Sequence, residues 1–172
     1  GGMAWFNRKK KEAPGTEPAP SRKQEKIPEG VWIKCEGCSA ALFSRELDAN
    51  LKVCPKCHYH FRLSARERIA QLADEDSFEE LGAGLAPLDP LGFTDLKPYV
   101  QRLEAAKKSG GTEALVAGSA RLDGRPVSLA VMDFGFIGGS MGSVVGEKFC
   151  RATDLAIERR MPLISVASSG GA

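Results

Sequence analysis

Four cysteines stand in two close pairs, Cys35-Glu36-Gly37-Cys38 and Cys54-Pro55-Lys56-Cys57, with fifteen residues between the pairs. This C-x2-C-x15-C-x2-C spacing is that of a tetrahedral four-thiolate zinc site. Two residues between cysteines let one tight turn present both sulfurs to a single ion. Pro55, with its fixed φ, suits the first position of such a turn. Gly37 offers the positive φ that a metal knuckle often uses. The intervening stretch, Ala40 through Val53, is too short and too mixed to build a core, so a metal is expected to organise it. Disulfides fit poorly, because five cysteines is an odd number and the first residues show no apolar signal segment. Four sulfurs close the coordination sphere, which makes the expected Zn2+ structural. His58 and His60 are then ordinary ribbon residues.

A four-thiolate zinc centre is negatively charged, and Lys34, Lys52 and Lys56 adjoin its ligands. The same lysines could touch phosphate, which raises a nucleic-acid-binding module as a second reading. No base-reading helix and little aromatic interleaving accompany them, and solvated charge around a metal explains them as well.

Two glycine loops form the other chemical feature. Phe136-Ile137-Gly138-Gly139-Ser140-Met141-Gly142 lies between an expected strand and helix, and Ser168-Ser169-Gly170-Gly171-Ala172 follows the next strand. Both fall at carboxyl ends of strands, where open α/β sheets bind ligands. Glycines there permit close approach to the backbone, and N–H groups beside a helix N-terminus stabilise an oxyanion. Neither loop matches a G-x-x-x-x-G-K-[ST] or G-x-G-x-x-G phosphate motif. Composition alone leaves open a pair of tight turns that merely pack helix on strand. No Ser/His/Asp set exists, since both histidines lie in the ribbon, and Cys150 reads as a buried small apolar residue.

The elements that must position these residues follow from patterning. Ser64 with Glu67 makes a capping box that opens a helix with Ile69, Leu72 and Ala73 as its apolar stripe. A further turn is expected at Ser77–Leu81, then a Gly/Pro-rich connector from Gly82 to Gly92. Pro98 to Lys108 reads as a helix stopped by Gly110-Gly111. Leu115–Leu122 and Val127–Phe134 read as strands of a hairpin around Asp123-Gly124. A helix from about Val144 to Arg160 leads to Leu163–Ala167, an apolar run typical of a buried strand.

The hydrophobic fraction of 42% supports a packed core, and the net charge of +2 argues against a dedicated nucleic-acid or membrane-surface protein. That charge is uneven, because residues 1–34 carry eight Lys/Arg against four Glu. Residues 1–27 read as a disordered basic tail with Gly1-Gly2 as a cloning scar. No apolar run nears the ~20 residues of a membrane span, and no targeting signal is seen, so a cytoplasmic location is expected.

Taken together, Pro28-Glu29-Gly30-Val31-Trp32, the four-cysteine ribbon, the run from Phe136 through Ser143-Val144-Val145-Gly146-Glu147-Lys148, and Ser169-Gly170-Gly171-Ala172 closely resemble the carboxyltransferase β subunits of bacterial acetyl-CoA carboxylase. The resemblance runs from about Ile27 to Ala172. It implies an α/β protein with a zinc ribbon at 28–62 followed, over 63–172, by the beginning of a ClpP/crotonase-like carboxyltransferase domain. It implies transfer of a carboxyl group from carboxybiotin on a carrier protein to acetyl-CoA, giving malonyl-CoA for fatty acid synthesis. In that route CO2 leaves carboxybiotin, the biotin enolate takes a proton from the acetyl methyl, and the thioester enolate attacks CO2. The implied partners are a carboxyltransferase α subunit in an α2β2 assembly, the biotin carboxyl carrier protein and biotin carboxylase. By the same resemblance Gly170 and Gly171 belong to the thioester oxyanion hole. Gly138, Gly139, Ser140, Met141 and Gly142 shape the acyl-CoA pocket, and the ribbon lies over the site entrance. Such subunits continue past the second glycine loop, so the chain is expected to be a fragment, inactive alone. A carboxyltransferase for another acyl-CoA, such as propionyl-CoA, is a further alternative.

Overall fold

The computed structural model describes residues 31–108, 111 and 113–171. The expected tail at 1–27, the start of the ribbon at 28–30, Gly110 and Ala172 lie outside the described residues.

The ribbon begins with a short antiparallel pair, β1 (Trp32–Lys34) and β2 (Ala41–Phe43), followed by a helical turn and a half, α1 (Ser44–Ala49). Its core is Leu42 and Leu47 packed on the buried Cys35 and Cys54, with Ile33, Tyr59 and Phe61 around them. Two buried leucines contribute about 3–6 kcal/mol, well below the cost of ordering residues 31–61 at roughly 1 kcal/mol or more each. The metal supplies what this core lacks.

Ser64 opens α2 (Ala65–Leu72) with the expected capping box, its hydroxyl accepting from the Glu67 N–H while Glu67 accepts from the Ser64 N–H. The expected turn at Ser77–Leu81 instead contains a strand, β3 (Glu79–Leu81). It pairs antiparallel with β4 (Leu115–Leu122), and that ladder overrides local preference. Helix α3 (Tyr99–Lys108) precedes β4, and β5 (Arg125–Met132) returns from the Asp123-Gly124 turn. Helix α4 (Ser143–Glu158) then crosses to β6 (Leu163–Val166), which lies parallel to β5. The sheet order is β3-β4-β5-β6.

Both faces of β4 and β5 are buried, which explains their nearly continuous apolar sequence. Leu115, Ala117 and Ala130 face α3 and α4, packing with Leu103, Val145 and Ala152. Val116, Ala120, Val127, Leu129 and Val131 face α2, packing with Ala65 and Ile69. Small residues let α4 approach closely, and the Ser128 hydroxyl donates to the Ala152 carbonyl at 2.8 Å. Strand β6 corrects the expectation of a buried strand. Among the described residues it is the sheet edge, with Leu163, Ile164 and Val166 half-buried and Ser165 exposed. Among the described residues no helix is long and apolar enough to cross a membrane.

Candidate functional site

The two cysteine pairs fold as copies of one knuckle. The N–H groups of Cys35 and Cys54 donate to the Ala40 and Tyr59 carbonyls, and those of Ser39 and His58 donate back to the Cys35 and Cys54 carbonyls, all at 2.8–2.9 Å. The positive φ expected of Gly37 falls instead on Ser39 (60°) and His58 (59°), one residue past each pair's second cysteine. Gly37 is needed for space, since a Cβ there would lie 2.9 Å from Tyr59 Cβ and 3.2 Å from Cys57 Sγ.

All four sulfurs lie within 4.8 Å of one another, with Cys35–Cys57 at 3.6 Å and Cys38–Cys54 at 3.9 Å. A thiolate tetrahedron at about 2.3 Å from zinc has edges of roughly 3.8 Å, so the set fits one Zn2+. Without a cation the sulfurs compete for charge. Burial opposes ionisation of Cys54, but the Cys57 and Lys56 N–H groups outweigh it and lower the thiol to about 7. The Tyr59 N–H favours the Cys57 thiolate, yet burial and the neighbouring sulfurs push that thiol up to about 12. A divalent cation lets all four ionise together. His58 and His60 are outside the sulfur cluster. Lys52 does not face outward as a phosphate contact. Its Nζ sits 2.7 Å from Asp48 and 3.1 Å from Glu67, tying the ribbon to α2.

The two glycine loops, far apart in sequence, meet at the carboxyl ends of β5 and β6. The Gly170 N–H donates to the Gly138 carbonyl at 2.9 Å, and the Gly171 N–H reaches the Ser169 hydroxyl at 3.3 Å. Gly139 is packed against Ser168, and a Cβ on it would overlap the Ser168 carbonyl oxygen. Ile137, Gly138 and Gly139 have φ of 46°, 65° and 71°, a single left-handed turn. A β-branched residue in that region is strained, and such strain concentrates at ligand sites. The turn delivers the chain through Ser140 and Met141 to Gly142, the N-cap of α4, which has no side chain to cap the first N–H groups.

Sequence reasoning missed three supports of this site. Asp133, at the end of β5, accepts from the Ala65 N–H at 2.9 Å and the Gly135 N–H at 2.8 Å, joining α2 to the first loop. Lys148 is buried on α4, donating to the Leu115 carbonyl at 3.2 Å with Glu80 at 3.8 Å, and Glu80 in turn pairs with Arg66 of α2. Arg62, in the linker from ribbon to core, stacks on Phe134 at 4.0 Å. A carboxylate two residues from a glycine is a detectable sequence signal, whereas the other two contacts join residues distant in sequence.

Two hollows flank the loops. A cleft of about 460 Å3 on the α2 side is lined by Arg62, Leu63, Arg68, Phe134, Val166, Ser168 and Ser169, among others. A second, of about 490 Å3 on the α4 side, is lined by Met141, Gly142, Val145, Phe149, Cys150, Ser165 and neighbours. Cys150 is exposed there, contrary to its expected burial, because it sits on the outward side of α4 beside Phe149.

A zinc ribbon joined to an α/β core, with glycine loops meeting at the ends of parallel strands, defines a ribbon-bearing enzyme core of the crotonase type. Residues 32–57 match the acetyl-CoA carboxylase zinc finger domain and residues 58–172 the carboxyl transferase domain, and the chain belongs to the carboxyl transferase domain family. It is similar to the acetyl-coenzyme A carboxylase carboxyl transferase subunit beta of Thermus thermophilus, with 50% identity over 154 residues, covering 89% of this chain and 53% of that one. The subunit of the same name from Citrifermentans bemidjiense is 44% identical over 171 residues, covering 99% of this chain and 59% of that one. The chain thus spans between half and three-fifths of the length of these curated relatives. Among solved structures, the transcarboxylase 12S core with methylmalonyl-coenzyme A and methylmalonic acid bound aligns at TM-score 0.50 and 29% identity, over 64% of this chain and 20% of that chain. A single-chain, multi-domain long-chain acyl-CoA carboxylase aligns at TM-score 0.52 and 29% identity, over 64% of this chain and 11% of that chain.

Proposed function

We propose that this chain supplies the β-type part of a carboxyltransferase that moves a carboxyl group from carboxybiotin on a carrier protein to acetyl-CoA, giving malonyl-CoA. The observation that carries the reading is the junction of the two glycine loops, Gly170 N–H to Gly138 carbonyl, beside the N-terminus of α4. Deprotonating the acetyl methyl puts negative charge on the thioester oxygen, and backbone N–H groups hold such charge without a side-chain acid or base. A well-aimed donor lowers the barrier by about 3–4 kcal/mol.

Within this reading Gly170 anchors the second loop, and its amide is committed to Gly138. Gly171 is the donor, because a substrate oxygen displaces its long 3.3 Å contact with Ser169. Gly138 and Gly139 set the turn, and Ser140, Met141 and Gly142 form the wall of the acyl-CoA pocket leading onto α4. Residues 1–27 as a tail, 28–62 as the ribbon and 63–172 as the start of the transferase domain are the division we propose. The partners proposed are an α-type carboxyltransferase subunit in an α2β2 assembly, the biotin carboxyl carrier protein and biotin carboxylase. The cytoplasm is the proposed location, where thiolate ligands stay reduced.

The full-length polypeptide containing this chain, assembled with its α-type partner and given biotinylated carrier, tests the reading. Malonyl-CoA formed from acetyl-CoA supports it. Methylmalonyl-CoA formed from propionyl-CoA in its place favours the second reading, which the alignment with the methylmalonyl-CoA-bound transcarboxylase core motivates.

A further inference from the structure

The cleft on the α2 side carries positive charge that proton and carboxyl transfer do not use. Arg62 and Arg68 line it, and among the described residues neither guanidinium lies within ion-pair distance of a carboxylate. Arg68 spends one N–H on the Gln71 side chain at 3.0 Å, leaving the rest of its five-donor fork. Arg62 is fixed by its stack on Phe134. Asp133 adjoins Phe134, but its two oxygens accept from the Ala65 and Gly135 N–H groups. Ser168 and Ser169 form the rim shared with the second glycine loop, and Val131 and Val166 form an apolar floor. By contrast, the hollow on the α4 side has no charged lining residue.

We infer, on the carboxyltransferase reading above, that this cleft holds a phosphate-bearing part of the coenzyme A thioester, with Arg62 and Arg68 as the phosphate ligands. The volume of about 460 Å3 suits a nucleotide-sized fragment. Guanidinium forks match phosphate oxygens, whereas the hollow on the α4 side, which suits the acyl end, offers the phosphates no counter-charge. The arginines therefore orient the substrate. Its phosphates lie toward the ribbon linker, and its thioester lies across the joined glycine loops.

The test compares coenzyme A with pantetheine, which lacks the phosphates, in the full-length polypeptide assembled with its α-type partner. Binding is read by calorimetry, and transfer is read with acetyl-CoA and acetyl-pantetheine. The double variant Arg62→Gln/Arg68→Gln is expected to weaken coenzyme A binding and raise KM for acetyl-CoA about tenfold or more, with kcat little changed. Pantetheine and its thioester are expected to be unaffected, as is the charge control Arg45→Gln on the ribbon. Arg68→Lys keeps the charge, loses the fork and falls between. Comparing two ligands on one variant cancels any loss of folded protein. Equal losses for coenzyme A and pantetheine, no loss at all, or a loss confined to KM for the carboxybiotin donor overturns the assignment. A complex that shows phosphate- and arginine-dependent binding but transfers no carboxyl group keeps the cleft and sinks the carboxyltransferase reading. Transfer with coenzyme A affinity unchanged in the variants does the reverse.

Discussion

In the ribbon, two leucines pack on two buried cysteines around one four-sulfur cluster, whereas the core stacks apolar layers on both faces of a four-stranded sheet. The ribbon depends on a few side chains with strict chemistry, and its backbone follows them. The core depends on burial spread over many interchangeable aliphatic residues, and the chemistry proposed for it lies in the backbone of the two glycine loops. Side-chain substitution is therefore expected to damage the ribbon, and addition of a single methyl group to damage the site in the core.

Zinc removal is the largest contrast. Structural zinc contributes about 10–16 kcal/mol in small ribbons, so chelation is expected to unfold residues 31–61 while β4 and β5 stay protected. Amide hydrogen exchange reads both at once, and protection of the ribbon surviving zinc loss would erase the distinction between the two regions. Next, Gly139→Ala forces a methyl group into the Ser168 carbonyl at a φ of 71°. Left-handed strain and overpacking together cost about 3 kcal/mol. Transfer by the assembled enzyme is expected to fall about a hundredfold or more because the loops part. A variant of normal rate would show that their junction is not needed.

Gly37→Ala is the ribbon's counterpart, pressing a methyl group on Tyr59 Cβ and Cys57 Sγ. A loss of about 1–2 kcal/mol is expected, seen as roughly tenfold weaker zinc retention in a competition titration. The smallest effect is at the junction of the two regions. Burial works to raise the Glu67 carboxyl, but the Ser64 N–H and hydroxyl and then Lys52 outweigh it, holding it below its ordinary value. A carboxyl lowered in the folded state adds stability that is complete above its unfolded pKa, about 4.3, and is lost as pH falls through the lower folded value. Glu67→Gln is thus expected to cost under about 1 kcal/mol at pH 7, since the side chain is 41% exposed and screened. The gap between variant and parent should close below about pH 4 in denaturant melts. A gap that widens in acid would reverse the sign assigned to this junction.

The cysteine spacing, the Ser64–Glu67 capping box, the Asp123-Gly124 hairpin and the α4–β6 crossover were all legible in the chain, because each rests on residues close in sequence. Strand β3 was not. Glu79-Glu80-Leu81 has little strand preference, and only pairing with Ala117–Ser119 makes it extended. Nor was the location of positive φ in the knuckles legible, since Ser39 and His58 adopt it under the hydrogen bonds that close each turn. Lys52 looked like a free cation beside a metal, but Asp48 on α1 and Glu67 on α2 claim it.

The sequence by itself determined the metal, its ligands Cys35, Cys38, Cys54 and Cys57, and the order of elements in the core, because ligand spacing and hydrophobic periodicity are local properties. Tertiary structure alone decided that Gly138 and Gly170 touch, that Gly170 spends its amide on that contact, and that Arg62 and Arg68 line one cleft. The glycine contacts join residues brought together by β5 and β6 lying parallel, a pair formed by a crossover whose register no local pattern encodes, and the cleft exists because α2 docks on that same sheet.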